Sequence, residues 1–154
     1  MSQENVEIAR RAFQALPETL AGGTPNLLEW LDPEVEWLTL ATIIEGTRYH
    51  GHDGVRQWIE DVNRDWATWE VRTDELLDLG DDGVLVLGGW HARSHRGGNA
   101  LDIQQGAWLF RFRAGKIRRL ETFTDRRKAL EAAGPSEDAV DHVTNRTIGP
   151  SEAQ

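Results

Sequence analysis

The chain has 154 residues, 39% hydrophobic and 28% charged, a balance that fits one soluble globular domain and excludes a disordered chain. Its 26 acidic and 17 basic side chains leave a net charge of −9, which repels phosphate backbones and anionic bilayers, so neither nucleic acid nor membrane is an expected partner. With no cysteine, the sequence has no disulfide, thiolate metal site or thiol nucleophile.

Val6, Ala9, Phe13 and Leu16 recur at helical spacing, with Glu4, Glu7, Arg10 and Arg11 on the other faces. This predicts a first amphipathic helix that Pro17 and the AGGTP stretch bring to an end. A short second helix is expected over residues 25–30, with Thr24 as N-cap and Pro25 at its first position, stopped by Asp32-Pro33. EVEWLTL alternates Val35, Trp37 and Thr39 with Glu36, Leu38 and Leu40 and reads as a strand. The following ATIIEGTRYHG reads as a loop. From Asp53 onward, Val55, Trp58, Ile59, Val62 and Trp66 mark a third amphipathic helix.

The second half is rich in strand signals. TWEVRTDELLDLG, GVLVLGGWHARSH, NALDIQQGAWLFRFR and KIRRLETFT are separated by the turn signals Gly80-Asp-Asp-Gly83, Arg96-Gly-Gly-Asn99 and Arg113-Ala-Gly-Lys116. Separators this short favour antiparallel hairpins, because parallel strands need long crossovers. A last helix, DRRKALEAAGP, is expected between an N-cap at Thr124 or Asp125 and Gly134. The pattern defines an α+β domain over residues 1–134. Three helices from the N-terminal half pack on a strongly curved, mostly antiparallel sheet, with a short helix at the C-terminal end. Three helices cannot cover so bent a sheet, and a cone-like pocket results. Residues 135–154 form a polar tail, disordered or ordered only against another surface. No apolar run approaches the roughly 20 residues that span a bilayer. The polar opening MSQENVEIAR does not read as a signal peptide, so a cytoplasmic location is expected.

Two features bear on chemistry. The segment YHGHDGVRQW sets His50 and His52 one residue apart, but a zinc site needs three or four converging ligands, and no third falls at a recognisable spacing. No metal is expected there. His52 reads as an exposed part of the helix entry, with Asp53 where a carboxylate favours a helix start. Seven tryptophans stand against one tyrosine and four phenylalanines. Tryptophan at a helix–sheet contact is ordinarily core, yet so many large apolar faces, each with an N–H, can also line a ligand cavity.

The segments SQENVEIARRAFQAL, LLEWLDPEVEW, YHGHDGVRQWIEDV and FRFRAGKIRRLETFTDRRKALEAAG resemble, in order and spacing, the SnoaL-like proteins of the nuclear transport factor 2-like superfamily. The resemblance runs from about residue 4 to 134. It implies the ketosteroid isomerase or polyketide cyclase-like cone, a pocket for a small, largely apolar molecule, and a homodimer formed through the outer sheet face. The superfamily spans isomerases, cyclases, epoxide hydrolases, dehydratases and non-enzymatic modules, so function has to come from the site.

The signature groups of these enzymes are replaced here. The isomerase base falls at Leu38 or Thr39, the second pocket acid near Trp108, and the pocket tyrosine at Ala12 or Phe13. The cyclase and hydrolase aspartate falls at Thr122, with Glu121 on the opposite face, and GGWHARSH lacks the Arg-x-Asp of a water-activating network. By the resemblance, Trp37, Trp58, Trp90 and Trp108 face the cone, Leu120, Thr122 and Thr124 alternate toward it, and Tyr49 and His50 lie near its mouth. His50 and, if a bulge turns it inward, His91 are the titratable catalytic candidates. The expectation is a pocket protein for a small apolar molecule, acting without a cofactor and with non-standard residues if it is an isomerase, cyclase or hydrolase. The alternative is a homodimeric assembly module whose cone is plugged by its own tryptophans.

Overall fold

The computed structural model describes residues 2–20, 26–80, 83–95 and 100–134. Helix α1 spans Ser2–Leu20 and buries Ala9, Ala12 and Leu16 along one face. It runs three residues past Pro17, where it was expected to end. Proline's fixed φ is itself helical, so the helix continues with one backbone donor fewer. A 3-10 helix at Asn26–Trp30 leads into β1, Leu31–Leu38. β1 begins earlier than the alternation indicates and includes Asp32-Pro33. Proline is tolerated because the pairing of β1 with its neighbour is interrupted between Leu31 and Glu36.

The segment expected to be a loop carries two elements. Helix α2, Leu40–Glu45, is closed at its start by a reciprocal capping box between Thr39 and Thr42 and at its end by Gly46 at φ 76°. The two-residue strand β2, Tyr49–His50, follows. Helix α3, Gly51–Asp65, has Asp53 in its first turn and buries Val55, Trp58 and Val62 of the predicted stripe, whereas Ile59 is half-buried and Trp66 falls outside the helix, opening the next strand. His52 is half-buried rather than exposed, its Nε2 lying 2.9 Å from the Leu31 carbonyl oxygen, which ties α3 to β1.

Strands β3 (Trp66–Asp78), β4 (Val84–Ser94), β5 (Ala100–Arg113) and β6 (Lys116–Phe123) form the antiparallel meander, and α4, Arg126–Ala133, is capped by Asp125. Among the described residues the sheet has six strands in the order β2-β1-β6-β5-β4-β3, with β1 and β6 parallel. Helices α1 and α3 cover one face with the larger core, and α4 packs on the other against Leu85, Leu87 and Leu109. Val84-Leu-Val-Leu87 is apolar at every position because β4 is covered on both faces there. The Thr24–Pro25 helix start, Asp81-Asp82, the turn at 96–99 and the tail from 135 lie outside the described residues. No helix among the described residues is long and apolar enough to cross a membrane.

Candidate functional site

A bulge in β5, where Gln104 and Gln105 stand opposite Gly89 alone, kinks that strand beside β4. Gly88 is paired with Gly106, and each glycine lies beneath the tryptophan two residues along the opposite strand. A Cβ on Gly106 would stand 2.6 Å from Trp90 Cζ3, and one on Gly88 would stand 3.1 Å from Trp108 Cζ3. The matching sequences GGW and GAW therefore lay two indoles on the helix-covered side of the sheet, 5.4 Å apart between ring centroids. Phe13 from α1 meets Trp108 edge-on at 4.8 Å, and Trp37 from β1 meets Trp58 from α3 at 5.5 Å.

These rings surround a narrow inner chamber of about 30 Å³. Trp37, Trp58, Trp90, Trp108, Leu120 and Thr122, named from the resemblance, all line it. Thr39, which takes the place of the isomerase base, also lines it, together with Leu40 of α2 and Trp69 and Val71 of β3, which were not anticipated. Strand parity in TWEVR was the available signal for Trp69 and Val71, since the two are separated by one residue. The lining contains no titratable side chain.

The chamber adjoins a wider vestibule of about 340 Å³, and Thr39, Leu40, Trp58 and Trp69 line both spaces. Tyr49 belongs to the vestibule, which also presents Glu45, Asp61, Arg64 and Asp65. The Tyr49 hydroxyl donates to Asp61 Oδ2 at 2.6 Å, and Gln57 Nε2 donates to Asp61 Oδ1 at 2.9 Å. Arg64 Nη1 lies 3.3 Å from the same oxygen. Burial, reinforced by the Asp61 carboxylate, pushes the Tyr49 phenol well above its ordinary range. The Tyr49 hydrogen bond is the main cause holding the Asp61 carboxyl below the usual carboxylate value. The pair therefore stays as a neutral donor and an ionised acceptor, a poor arrangement for proton abstraction at neutral pH.

The other candidates lie elsewhere. His50 points to Glu34, with Nε2 3.1 Å from Oε2 and about two-thirds of both side chains exposed, and it lines neither space. His91 also lines neither space. The extra residue lies in β5, so β4 alternates without interruption and His91, between Glu70 and Asp102, takes the face opposite Trp90. Thr124 follows the end of β6 and is exposed. Among the described residues no three His, Asp or Glu side chains converge as metal ligands.

One further property of the wall concerns polar satisfaction. The Nε1 atoms of Trp37, Trp69 and Trp90 are buried and have no hydrogen-bond partner. An unpaired buried donor costs about 1–3 kcal/mol.

An open, curved sheet with an aromatic chamber under two helices is an α+β fold of the NTF2-like kind. The SnoaL-like domain family model matches residues 9–120, and the chain belongs to that family. An NTF2-like protein from Burkholderia thailandensis superposes with a TM-score of 0.66 at 23% identity, over 86% of this chain and 98% of that one. TerC, crystallised with polyporic acid, gives 0.64 at 21% identity, over 85% and 98%. A Catenulispora acidiphila protein of ketosteroid isomerase-like fold, in complex with trimethylamine, gives 0.60 at 16% identity, over 82% and 95%. No curated relative matches the sequence.

Proposed function

We propose that this protein binds a small, uncharged, largely apolar molecule at the mouth of the cone, with its body in the vestibule and its tip in the tryptophan chamber. The observation that carries this reading is the junction itself, where an aromatic chamber without a titratable group meets a 340 Å³ vestibule at Thr39, Leu40, Trp58 and Trp69. Ligand sites combine an apolar concavity with a few convergent polar groups, and the junction has both. The cysteine-free, acidic chain fits a cytoplasmic role of this kind. TerC and the Catenulispora protein, each crystallised with a small molecule, support the use of this fold as a receptor. The absence of a base from the chamber lining favours binding over proton-transfer chemistry.

Intrinsic tryptophan fluorescence, titrated with a panel of small alicyclic and aromatic compounds, tests this reading. Binding compounds change the emission of the wild type and lose affinity in Ala41→Trp, which fills the vestibule. A panel without effect, or equal affinity in Ala41→Trp, overturns the proposal.

The chamber's small volume favours a second reading, the homodimeric assembly module with a plugged cone. It predicts a dimer by analytical ultracentrifugation whose stability and tryptophan emission are indifferent to every compound in the panel.

A further inference from the structure

The face of the sheet that carries α4 holds a basic hollow in an otherwise acidic protein. β5 and β6 pair Arg111 with Arg119 and then Phe112 with Ile117, so Arg118 is an extra residue that bulges from β6. The bulge lets Ile117 and Leu120 both enter the larger core and leaves Arg118 and Arg119 together on the opposite face. There Arg111, Arg118 and Arg119 surround a concavity of about 160 Å³ with Leu109, Glu121 and Ala132 of α4. Three guanidiniums against one carboxylate are a local excess of positive charge in a chain of net charge −9. Arg119 divides its guanidinium between Glu36 and Glu121, each at 3.5 Å, longer than an ordinary charge-assisted hydrogen bond. Arg118 is exposed, and among the described residues no carboxylate is in ion-pair contact with it. Such a hollow favours an anion.

The position of α4 narrows the choice of anion. Arg111 Nη2 donates to the Ala132 carbonyl oxygen at 3.4 Å, so the last turn of α4 forms the rim of the hollow. Gly134, at φ 62°, then ends the helix with its amide bonded to the Leu130 carbonyl. The sequence beyond, outside the described residues, reads PSEDAVD, in which Glu137, Asp138 and Asp141 bring three carboxylates and no base. The stretch from Ala132 to Glu137 reaches at most about 17 Å when extended, enough to cross a hollow of this volume. A tethered segment is present at an effective concentration in the millimolar range, whereas a free anion is repelled by the chain's net charge of −9. We propose that the hollow is the docking site of the chain's own acidic segment, Glu137 to Asp141, whose carboxylates pair with Arg118 and Arg119 beside the end of α4. None of the residues around the hollow lines the chamber or the vestibule, so docking there is separate from ligand binding.

The test uses the full ¹⁵N-labelled chain and compares the wild type with the triple variant Glu137→Gln, Asp138→Asn, Asp141→Asn. At low salt the wild type is expected to give heteronuclear NOEs at residues 137–141 close to those of the strands, and the triple variant to lose them. The Nε–H signals of Arg118 and Arg119 are expected to shift between the two proteins. Salt at about 1 M, where the Debye length is about 3 Å, is expected to bring the wild type to the state of the variant. Unchanged NOEs and arginine signals in the triple variant overturn the proposal. Inorganic phosphate, added at constant ionic strength, is expected to shift the Arg118 and Arg119 signals of the triple variant at a roughly three- to tenfold lower concentration than those of the wild type. Shifts at the same concentration in both proteins mark a site for free anions and overturn the docking. The chain has no cysteine, so a nitroxide attached through Ala139→Cys labels the segment alone. Mixed with ¹⁵N-labelled wild type, this unlabelled-nitrogen protein is expected to leave the Arg118 amide signal sharp. Broadening there shows that a second copy supplies the segment and overturns docking within one chain.

Discussion

Trp90 and Gly106 are fitted to each other across two strands: the indole occupies the space that any side chain on Gly106 would need, 2.6 Å from its Cβ position. Gly106→Ala must displace the Trp90 ring, with the Phe123 carbonyl 3.0 Å away on another side. The expected cost is about 1–3 kcal/mol, the usual range for overpacking, read from chemical denaturation and accompanied by a change in tryptophan emission. Gly88→Ala is expected to be worse, because its Cβ would fall on the backbone carbonyl of Arg72, which cannot swing aside as a ring can. Equal stability of Gly106→Ala and the wild type would show that the ring is not held where the structure puts it.

Tyr49 is the chain's one tyrosine, so its ionisation can be followed alone by tyrosinate absorbance. Its folded-state pKa lies above the ordinary value of 10.0, so its contribution to stability is complete below pH 10 and declines as the pH rises beyond. Tyrosinate is expected to appear together with loss of tryptophan structure rather than ahead of it. A phenol that titrates near pH 10 in the intact fold contradicts this.

Asp61 gives the acid counterpart. Its carboxyl is held low, so it stabilises the fold above the ordinary carboxylate pKa of 3.8, and the effect fades as the pH falls through its folded value. Tyr49→Phe removes the main cause of that shift. It is expected to cost about 1.5–3 kcal/mol at pH 7, the range for a hydrogen bond to a charged group, and less at acid pH. A cost that does not change between pH 7 and the acid limit rules out the assignment of that hydrogen bond as the source.

The hairpin between β5 and β6 turns on Ala114 at φ 51° and Gly115 at φ 78°. Two consecutive left-handed residues are what a tight two-residue hairpin asks for, and alanine fills the first position poorly. Ala114→Asn is expected to stabilise the protein by about 1 kcal/mol, measured as a raised denaturation midpoint with unchanged slope. A lowered midpoint would count against this turn geometry.

Function separates the two kinds of candidate residue. His50→Ala and His91→Ala are expected to leave ligand affinity unchanged, since neither side chain lines the chamber or the vestibule. Trp69→Ala, at the junction of the two, is expected to weaken binding on the order of tenfold or more, as truncation of a buried aromatic anchor does. Fluorescence or calorimetric titration decides, and a histidine-dependent affinity would move the site to the outer surface.

Much of this was legible in the sequence where periodicity and strand parity decide position. Trp37, Trp58, Trp90, Trp108, Leu120 and Thr122 were named from the family resemblance, and in the structure a strand or helix period carries each of them to the chamber. Helix α2 was not legible, because Thr42, Ile43 and Ile44 are β-branched and its capping box uses Thr42 where glutamate or glutamine is usual. Thr124 was misplaced because β6 ends at Phe123, one residue before the alternation would have turned it inward. The Tyr49–Asp61 bond joins β2 to α3, and its geometry comes from a strand of two residues that local pattern cannot reveal. Trp69 carried the same parity signal as its neighbours, but the resemblance drew attention to other strands.

The sheet order also bears on how the chain is made. Among the described residues, the ribbon of β1 and β2 meets the remainder of the sheet only along β6, the last of the described strands to be synthesised. Until residue 123 emerges, the strand that carries Trp37 has no long neighbour to pair with, and its apolar face waits beside α1 and α3. Completion of the sheet is therefore expected to wait for the β5–β6 hairpin, and a chain truncated before β6 is expected to expose the unpaired edge of β1.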